Sequence, residues 1–277
     1  MIENHNSLCC QAERSLTKKY RKQIWAPFIA GVKTYELIQE GDRIAVCVSG
    51  GKDSMLLAKL MQLLLRYSEF PFSLEFIAMD PGYSPENRQK LEENARLLQV
   101  PVQIFETNVF DVADWGDKNA CYLCARMRRG HLYRRAQDLG CNKIALGHHF
   151  NDVIETTVMA MFYGAQLQGM LPKLHSKNFP GMELIRPIYR VHEDAVLAWK
   201  RYNGLEFLRC ACKFTQQAAA CGGSKRQEVK ELLAGLKKHN PNVEKNIFQS
   251  LHSLCLDTFP GYKSGGQEHS FLENYTF

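Results

Sequence analysis

No apolar run in these 277 residues approaches the roughly 20 that a membrane-spanning helix needs. The opening stretch, Met1 to Lys19, is polar and charged and lacks the apolar centre of a secretory leader. Internal repeats and low-complexity tracts are absent as well, which argues against a solenoid or a linker-like chain. These absences lead us to expect a cytoplasmic protein with no membrane partner. An acidic excess is missing too. The formal charge is +6, which permits a polyanionic partner such as RNA without requiring one. Hydrophobic residues make up 45% and charged residues 23%, so the chain is expected to fold and to bury a sizeable core without staples.

Cysteine, by contrast, is abundant, with ten residues. In a reducing compartment, clustered cysteines indicate metal binding or catalysis rather than disulfides. Cys47, inside an apolar run, and Cys141 read as small buried hydrophobes. Cys9, Cys10 and Cys255 carry no readable signal.

Hydrophobic periodicity sets out the organisation. Ser15 to Gln39 has helical spacing, ended by Gly41. Strands are expected at 43–48, 72–79, 102–105 and 143–146, alternating with helices at 54–67, 85–99, 122–139 and 151–163. Such alternation predicts an α/β fold, a Rossmann-like parallel sheet with helices on both faces, and ligands beyond the carboxyl ends of its strands. After Gly164 the pattern changes to short strands over 173–189 that turn at Pro180-Gly181. Helices follow at 192–201, 225–239 and 243–254, and the tail from Pro260 has no periodicity. We expect an N-terminal helical extension over 1–40, the core over 41–190 and a small C-terminal helical appendage over 191–277.

The strongest motif is Ser49-Gly-Gly-Lys-Asp-Ser54, between a strand and a helix. Two adjacent glycines let the backbone approach a ligand closely, and a helix N-terminus favours an anion. Lys52 adds a positive charge, and Ser49 and Ser54 add hydroxyl donors. The Gly-x-x-x-x-Gly-Lys-Ser/Thr spacing of the common nucleotide-binding loop is absent. Asp80, in Asp80-Pro-Gly-Tyr83, fits either a functional acid or a turn-former. In Gly147-His-His-Phe-Asn-Asp152, Asp152 and Glu155 share a helical face, while His148 and His149 lie in the loop.

Cys121-Tyr-Leu-Cys124 opens a helix that also carries Arg126, Arg128, Arg129, Arg134 and Arg135. No acidic residue appears on this stretch before Asp138. These arginines fit phosphate contacts to RNA. Cys210-Ala-Cys212 and Cys221 form a second thiol cluster. On chemistry alone, zinc and an iron–sulfur cluster are equally good readings, and a redox dithiol is weaker.

Taken together, these motifs resemble the tRNA-cytidine 2-sulfurtransferase family of PP-loop ATP pyrophosphatases, whose fold is adenine nucleotide alpha hydrolase-like. The matching stretches are Ser49–Ser54, Pro81-Gly-Tyr83, Cys121-x-x-Cys124 with Arg126 to Gly130, and Gly147–Glu155. Met161-Phe-Tyr-Gly164, Gly169 to Lys173 and Arg186-Pro-Ile188 match as well, in the family's order, over about residues 20 to 200.

The resemblance implies an enzyme that adenylates the C2 oxygen of a tRNA cytidine in the anticodon loop and replaces that oxygen with sulfur, forming AMP and pyrophosphate. ATP and Mg2+ would be held by Ser49, Gly50, Gly51, Lys52, Asp53, Ser54, Asp80, Gly147 and His148, with Lys52, Asp53 and Asp152 catalytic. It further implies a 4Fe-4S cluster on Cys121, Cys124 and a third cysteine. Cys210 is favoured because it follows the hydrophobic stretch 205–208, while Cys212 and Cys221 stay open. The implied partners are tRNA and a cysteine desulfurase or other persulfide or sulfide donor, with a homodimer left open as the assembly. The rivals are another PP-loop RNA-modifying reaction, such as uridine thiolation or lysidine-type amine transfer, and a non-catalytic metal-binding RNA regulator.

Overall fold

In a computed structural model, which describes residues 2–107, 120–208 and 225–275, the chain forms a six-stranded sheet of order β3-β2-β1-β4-β6-β5. The strands are β1 (Arg43–Cys47), β2 (Ser73–Asp80), β3 (Val102–Glu106), β4 (Lys143–Ala145), β5 (Lys173–His175) and β6 (Glu183–Ile185). All neighbours pair in parallel except β5, which runs antiparallel to β6 at the edge. The β5–β6 hairpin turns through Gly181, whose φ of +77° is the left-handed conformation that glycine adopts without strain.

The alternation of side chains along β1 shows why both faces need cover. Ile44, Val46 and Val48 belong to one core, shared with α2 (Ala26–Thr34), α3 (Lys52–Tyr67) and α7 (Glu193–Tyr202). Ala45 and Cys47 point to the other face, into a core completed by Tyr133 and Ala136 of α5 (Ala120–Asp138). Cys47 and Cys141 are buried there, as their apolar surroundings predict. A third cluster joins α6 (Phe150–Gly164) to α8 (Lys225–His239) and α9 (Val243–Ser250) through Val153, Ile154, Val158, Val229, Leu233 and Phe248.

Two segments depart from the sequence reading. The single helix expected over 15–39 is two. The first, α1 (Ile2–Thr17), is followed by a wider π turn, Arg21–Trp25, which leads into α2. Tyr20 N–H reaches back five residues to Ser15 O, so the chain changes pitch while its apolar face continues to point at the core. On that face the buried Lys59 of α3 donates to Glu13 at 2.7 Å and to the Leu98 carbonyl at 2.9 Å, and so ties α1 to the sheet layer. The tail, expected to be irregular, contains a hairpin of β7 (Gly261–Ser264) and β8 (Gln267–Ser270). Its strands are four residues long and largely exposed, too short to show a period of two. Among the described residues no helix is long and apolar enough to cross a membrane.

Strand order reverses between β1 and β4, because β2 and β3 lie on one side and β6 and β5 on the other. The chain therefore runs from the carboxyl ends of β1 and β4 toward opposite edges of the sheet, and the crevice lies at this switch point.

Candidate nucleotide site

The loop after β1 and the loop after β4 meet in that crevice. A Cβ placed on Gly147 would lie 3.1 Å from the Ser54 backbone nitrogen, a tight contact, so glycine favours this close approach of the second loop to the first. Gly50 has a φ of +79°, and a Cβ there would lie 2.6 Å from Leu208 Cδ1. The loop is stitched from within. Ser54 Oγ donates to Gly51 O at 3.0 Å and accepts from Ser49 N–H at 3.1 Å. Helix α3 starts at Lys52 with Gly51 as its N-cap and no side-chain cap, so its first-turn N–H groups face the crevice without a side-chain acceptor. A small anion such as a phosphate fits this cradle.

Four carboxylates and three cations surround the loop. Lys52 Nζ lies 2.9 Å from both Asp53 Oδ2 and Glu193 Oε1. Burial works to lower the pKa of the Lys52 ammonium, but Asp53 and Glu193 outweigh it and raise it. Burial works against the charge on Glu193 as well. Lys52, with support from Lys230 and His149, overcomes it and pulls the carboxyl down to about 2. His149 is buried and caps α6: its Nδ1 accepts from Asp152 N–H at 3.3 Å, while Asp152 Oδ2 accepts from His149 N–H at 2.9 Å. His149 Nε2 lies 3.7 Å from Asp53 Oδ1, an oxygen with no hydrogen-bond partner. Glu155, also buried, faces Arg226 and Lys230 of α8, and burial raises its pKa against their pull.

A cavity of about 560 Å³ opens from this loop. Ser49, Gly51, Asp53, Ser54, Gly147, His148 and Asp152 line it together with Arg128, Arg129 and Arg186. Arg186 donates from Nε to His148 Nδ1 at 3.3 Å and from Nη1 to the Leu171 carbonyl. Burial first, and Arg186 second, hold His148 down to about 4, so it is neutral near pH 7. Between that value and about 6.5 the unfolded chain binds more protons than the folded one, so stability rises with pH across the interval and the contribution is complete above it. On acidification from pH 7 to pH 4.5, the protein should lose about 2 kcal/mol more unfolding free energy than its His148→Asn variant. Parallel urea-unfolding curves for the two across this range would show that His148 titrates normally.

The sequence-predicted residues thus largely converge. Ser49 to Ser54, Gly147, His148 and Asp152 come together in the crevice. Asp80 is committed to its own turn: Oδ1 accepts from Gly82 and Tyr83 N–H at 3.0 and 2.7 Å, and Oδ2 from Arg88 at 2.7 Å. Burial of Asp80 opposes its charge, but these donors outweigh it and lower its pKa. Of the five arginines on α5, Arg128 and Arg129 reach the cavity. Arg126 and Arg134 are exposed, and Arg135 donates to Gln103 on β3. Cys121 and Cys124 fall in the first turns of α5, with side chains outside the described residues, as are Cys210, Cys212 and Cys221 altogether. The sequence reading missed Glu193, Arg226 and Lys230, and it treated His149 as a polar loop residue. An alternation of apolar and charged positions does not say which charged side chain faces a neighbouring element.

Residues 15–212 match the family model of the PP-loop domain. A tRNA-cytidine(32) 2-sulfurtransferase from Geotalea uraniireducens (strain Rf4) is 35% identical over 229 residues, 80% of this chain and 88% of the relative. One from Geobacter metallireducens is 33% identical over 86% of this chain and 91% of its own length. This chain belongs to the PP-loop family of tRNA-cytidine 2-sulfurtransferases. The family extends to more distant members, such as one from Vibrio vulnificus at 31% identity over 88% of this chain and 78% of the relative. Among solved structures, the U34-tRNA thiolase NcsA from Methanococcus maripaludis with its [4Fe-4S] cluster superposes with a TM-score of 0.64. At 23% identity it covers 84% of this chain and 80% of its own, and it shares the sheet architecture of this 2-sulfurtransferase family member.

Proposed function

We propose that this chain uses ATP to replace the C2 oxygen of a tRNA cytidine with sulfur. The observation that carries the reading is the meeting of the Ser49–Ser54 and Gly147–Asp152 loops at the reversal of strand order, beside a cavity that Arg128, Arg129 and Arg186 also line. A polyphosphate fits the α3 N-terminus and Lys52, and an RNA backbone fits Arg128 and Arg129. Between them the cavity has room for a nucleobase with its C2 oxygen near the α-phosphate. Attack by that oxygen on the α-phosphorus releases pyrophosphate and leaves the base joined to AMP. Attack by sulfide at C2 then forms the C–S bond and expels AMP. Lys52 and the first-turn N–H groups of α3 stabilise charge on the phosphates, and neutral His148 offers a donor that does not repel the arginines around it.

Cys121, Cys124 and Cys210 would hold a 4Fe-4S cluster, which would supply a binding site for the incoming sulfide. Two features support this placement. Helix α5, whose first turns carry Cys121 and Cys124, sends Arg128 and Arg129 to the cavity. The chain entering Cys210 leaves from the phosphate loop, where Leu208 N–H donates to Gly50 O at 3.1 Å. Sulfur arrives as sulfide, either free or released from a persulfide by two-electron reduction with thiols, and a cysteine desulfurase is the source of the persulfide. The reaction takes place away from membranes, in the cytoplasm. Uridine thiolation and amine transfer are less favoured, because the curated relatives are cytidine 2-sulfurtransferases across most of this chain.

The deciding measurement is mass spectrometry of tRNA nucleosides from cells with and without this chain. 2-Thiocytidine should be absent without it and return on complementation. A normal 2-thiocytidine level in the deletion strain would overturn the assignment, and loss of a thiouridine instead would move it to the rival reaction.

A further inference from the structure

The charged row beside the phosphate loop is finished by a helix that lies outside the sheet. Helix α8 is docked on α6 by apolar contact, with Val229 and Leu233 buried against Val153, Ile154 and Val158. Its docking therefore does not depend on its first-turn charges. Those charges nevertheless point inward. Arg226 Nη2 lies 3.4 Å from Asp152 Oδ1 and its Nε 3.1 Å from Glu155 Oε2. One turn on, Lys230 Nζ lies 3.6 Å from Glu155 Oε1 and 3.2 Å from Glu193 Oε2, and Glu193 passes the row on to Lys52.

The Arg226 pairing is badly aligned. Its Nε and Glu155 Oε2 are close, yet both are buried without a hydrogen bond. Such groups cost free energy that a better partner would recover. The Arg226 side chain is 43% exposed, so its guanidinium has room to turn, and Asp152, which it touches, lines the cavity. An arginine is the side chain best matched to phosphate, because its planar fork can donate two parallel hydrogen bonds.

We infer that Arg226 is a phosphate ligand of this site, exchanging its misaligned carboxylates for the polyphosphate of the bound nucleotide. The inference rests on the reading that the site takes ATP. Lys230 stays with Glu193 during the exchange and offsets its charge, so that Lys52 can also turn to the phosphates. The helix that follows the second cysteine cluster thus supplies a wall of the nucleotide site.

The test measures Mg·ATP affinity of the full chain by titration calorimetry, alongside the KM for ATP in tRNA-dependent AMP release. Arg226→Ala should weaken Mg·ATP binding by about 10- to 100-fold, in line with loss of a charge-assisted hydrogen bond, and Arg226→Lys should recover part of it. Lys237→Ala, on the same helix but paired with Glu244 at 2.7 Å, should leave the affinity unchanged. A lower melting temperature for Arg226→Ala with Mg·ATP affinity within twofold of the parent would make Arg226 a structural pin and overturn the inference. If the parent binds ATP but leaves tRNA unmodified, the proposed reaction fails, while the affinity ratio still decides the role of Arg226.

Discussion

Replacing Lys52 with alanine should lower tRNA-dependent release of AMP and pyrophosphate by about 100-fold or more, the size expected for loss of a charge aimed at developing negative charge on phosphate. The chain should still fold. The Lys52 side chain is 23% exposed and is held by Asp53 and Glu193 rather than by apolar packing. Removing it leaves Asp53 and Glu193 facing the phosphates, and only Glu193 keeps a second cation, Lys230, at 3.2 Å. Repulsion of ATP by Asp53 should therefore appear as a raised KM in addition to the lowered kcat. A Lys52→Ala protein that releases AMP at the parent rate would mean that the phosphates bind elsewhere.

The second large effect concerns the thiols. Protein purified without air should be brown and should lose both colour and thiolation activity in air, because an iron left open to sulfide is also open to oxygen. Cys121→Ala or Cys124→Ala should abolish the colour and bring thiolation below detection, while Mg·ATP affinity stays within about twofold of the parent. The phosphate cradle is built from the loop after β1 and the start of α3, a stretch of sequence that contains neither cysteine. Among Cys210, Cys212 and Cys221, one should be indispensable and two dispensable. A colourless anaerobic protein holding one zinc per chain and fully active in thiolation would overturn the cluster mechanism. Two indispensable cysteines in that set would mean four thiolate ligands and no open iron.

Much of this site was legible before any coordinates, because its central parts are local. Ser49 to Ser54 and Gly147 to Asp152 each fit within one strand–turn–helix unit, where glycines, hydroxyls and a lysine at fixed offsets carry a single meaning. The strand–helix alternation likewise predicted the parallel sheet, and the reversal of strand order then brought the two loops together. What escaped was set by contacts distant in sequence. Glu193 reads as an ordinary acidic first-turn residue of α7, and Arg226 as a solvated charge on α8, until packing of those helices turns both toward Lys52 and Asp152. His148 and His149 are adjacent and chemically identical. Only the capping geometry of α6 buries the second and leaves the first on the cavity. The π turn at 21–25 escaped for another reason: a shift from four to five residues per hydrogen-bonded step barely disturbs an apolar stripe.

The hydrogen bond from Leu208 N–H to Gly50 O also bears on how the protein is made. The phosphate loop emerges from the ribosome early, but the strand beside it, the acid on Lys52 and the segment that covers Gly50 come from residues 143–145, 193 and 208. Domains of this kind assemble as synthesis proceeds from the N-terminus, and contacts this far apart in sequence close late. A nascent chain that stalls before Leu208 therefore presents a glycine turn without the segment that covers Gly50. On this ordering, the ability to grip a nucleotide should arise in the same interval of synthesis as the cysteine segment that follows residue 208. A truncated product would be unable to consume ATP without also being able to deliver sulfur.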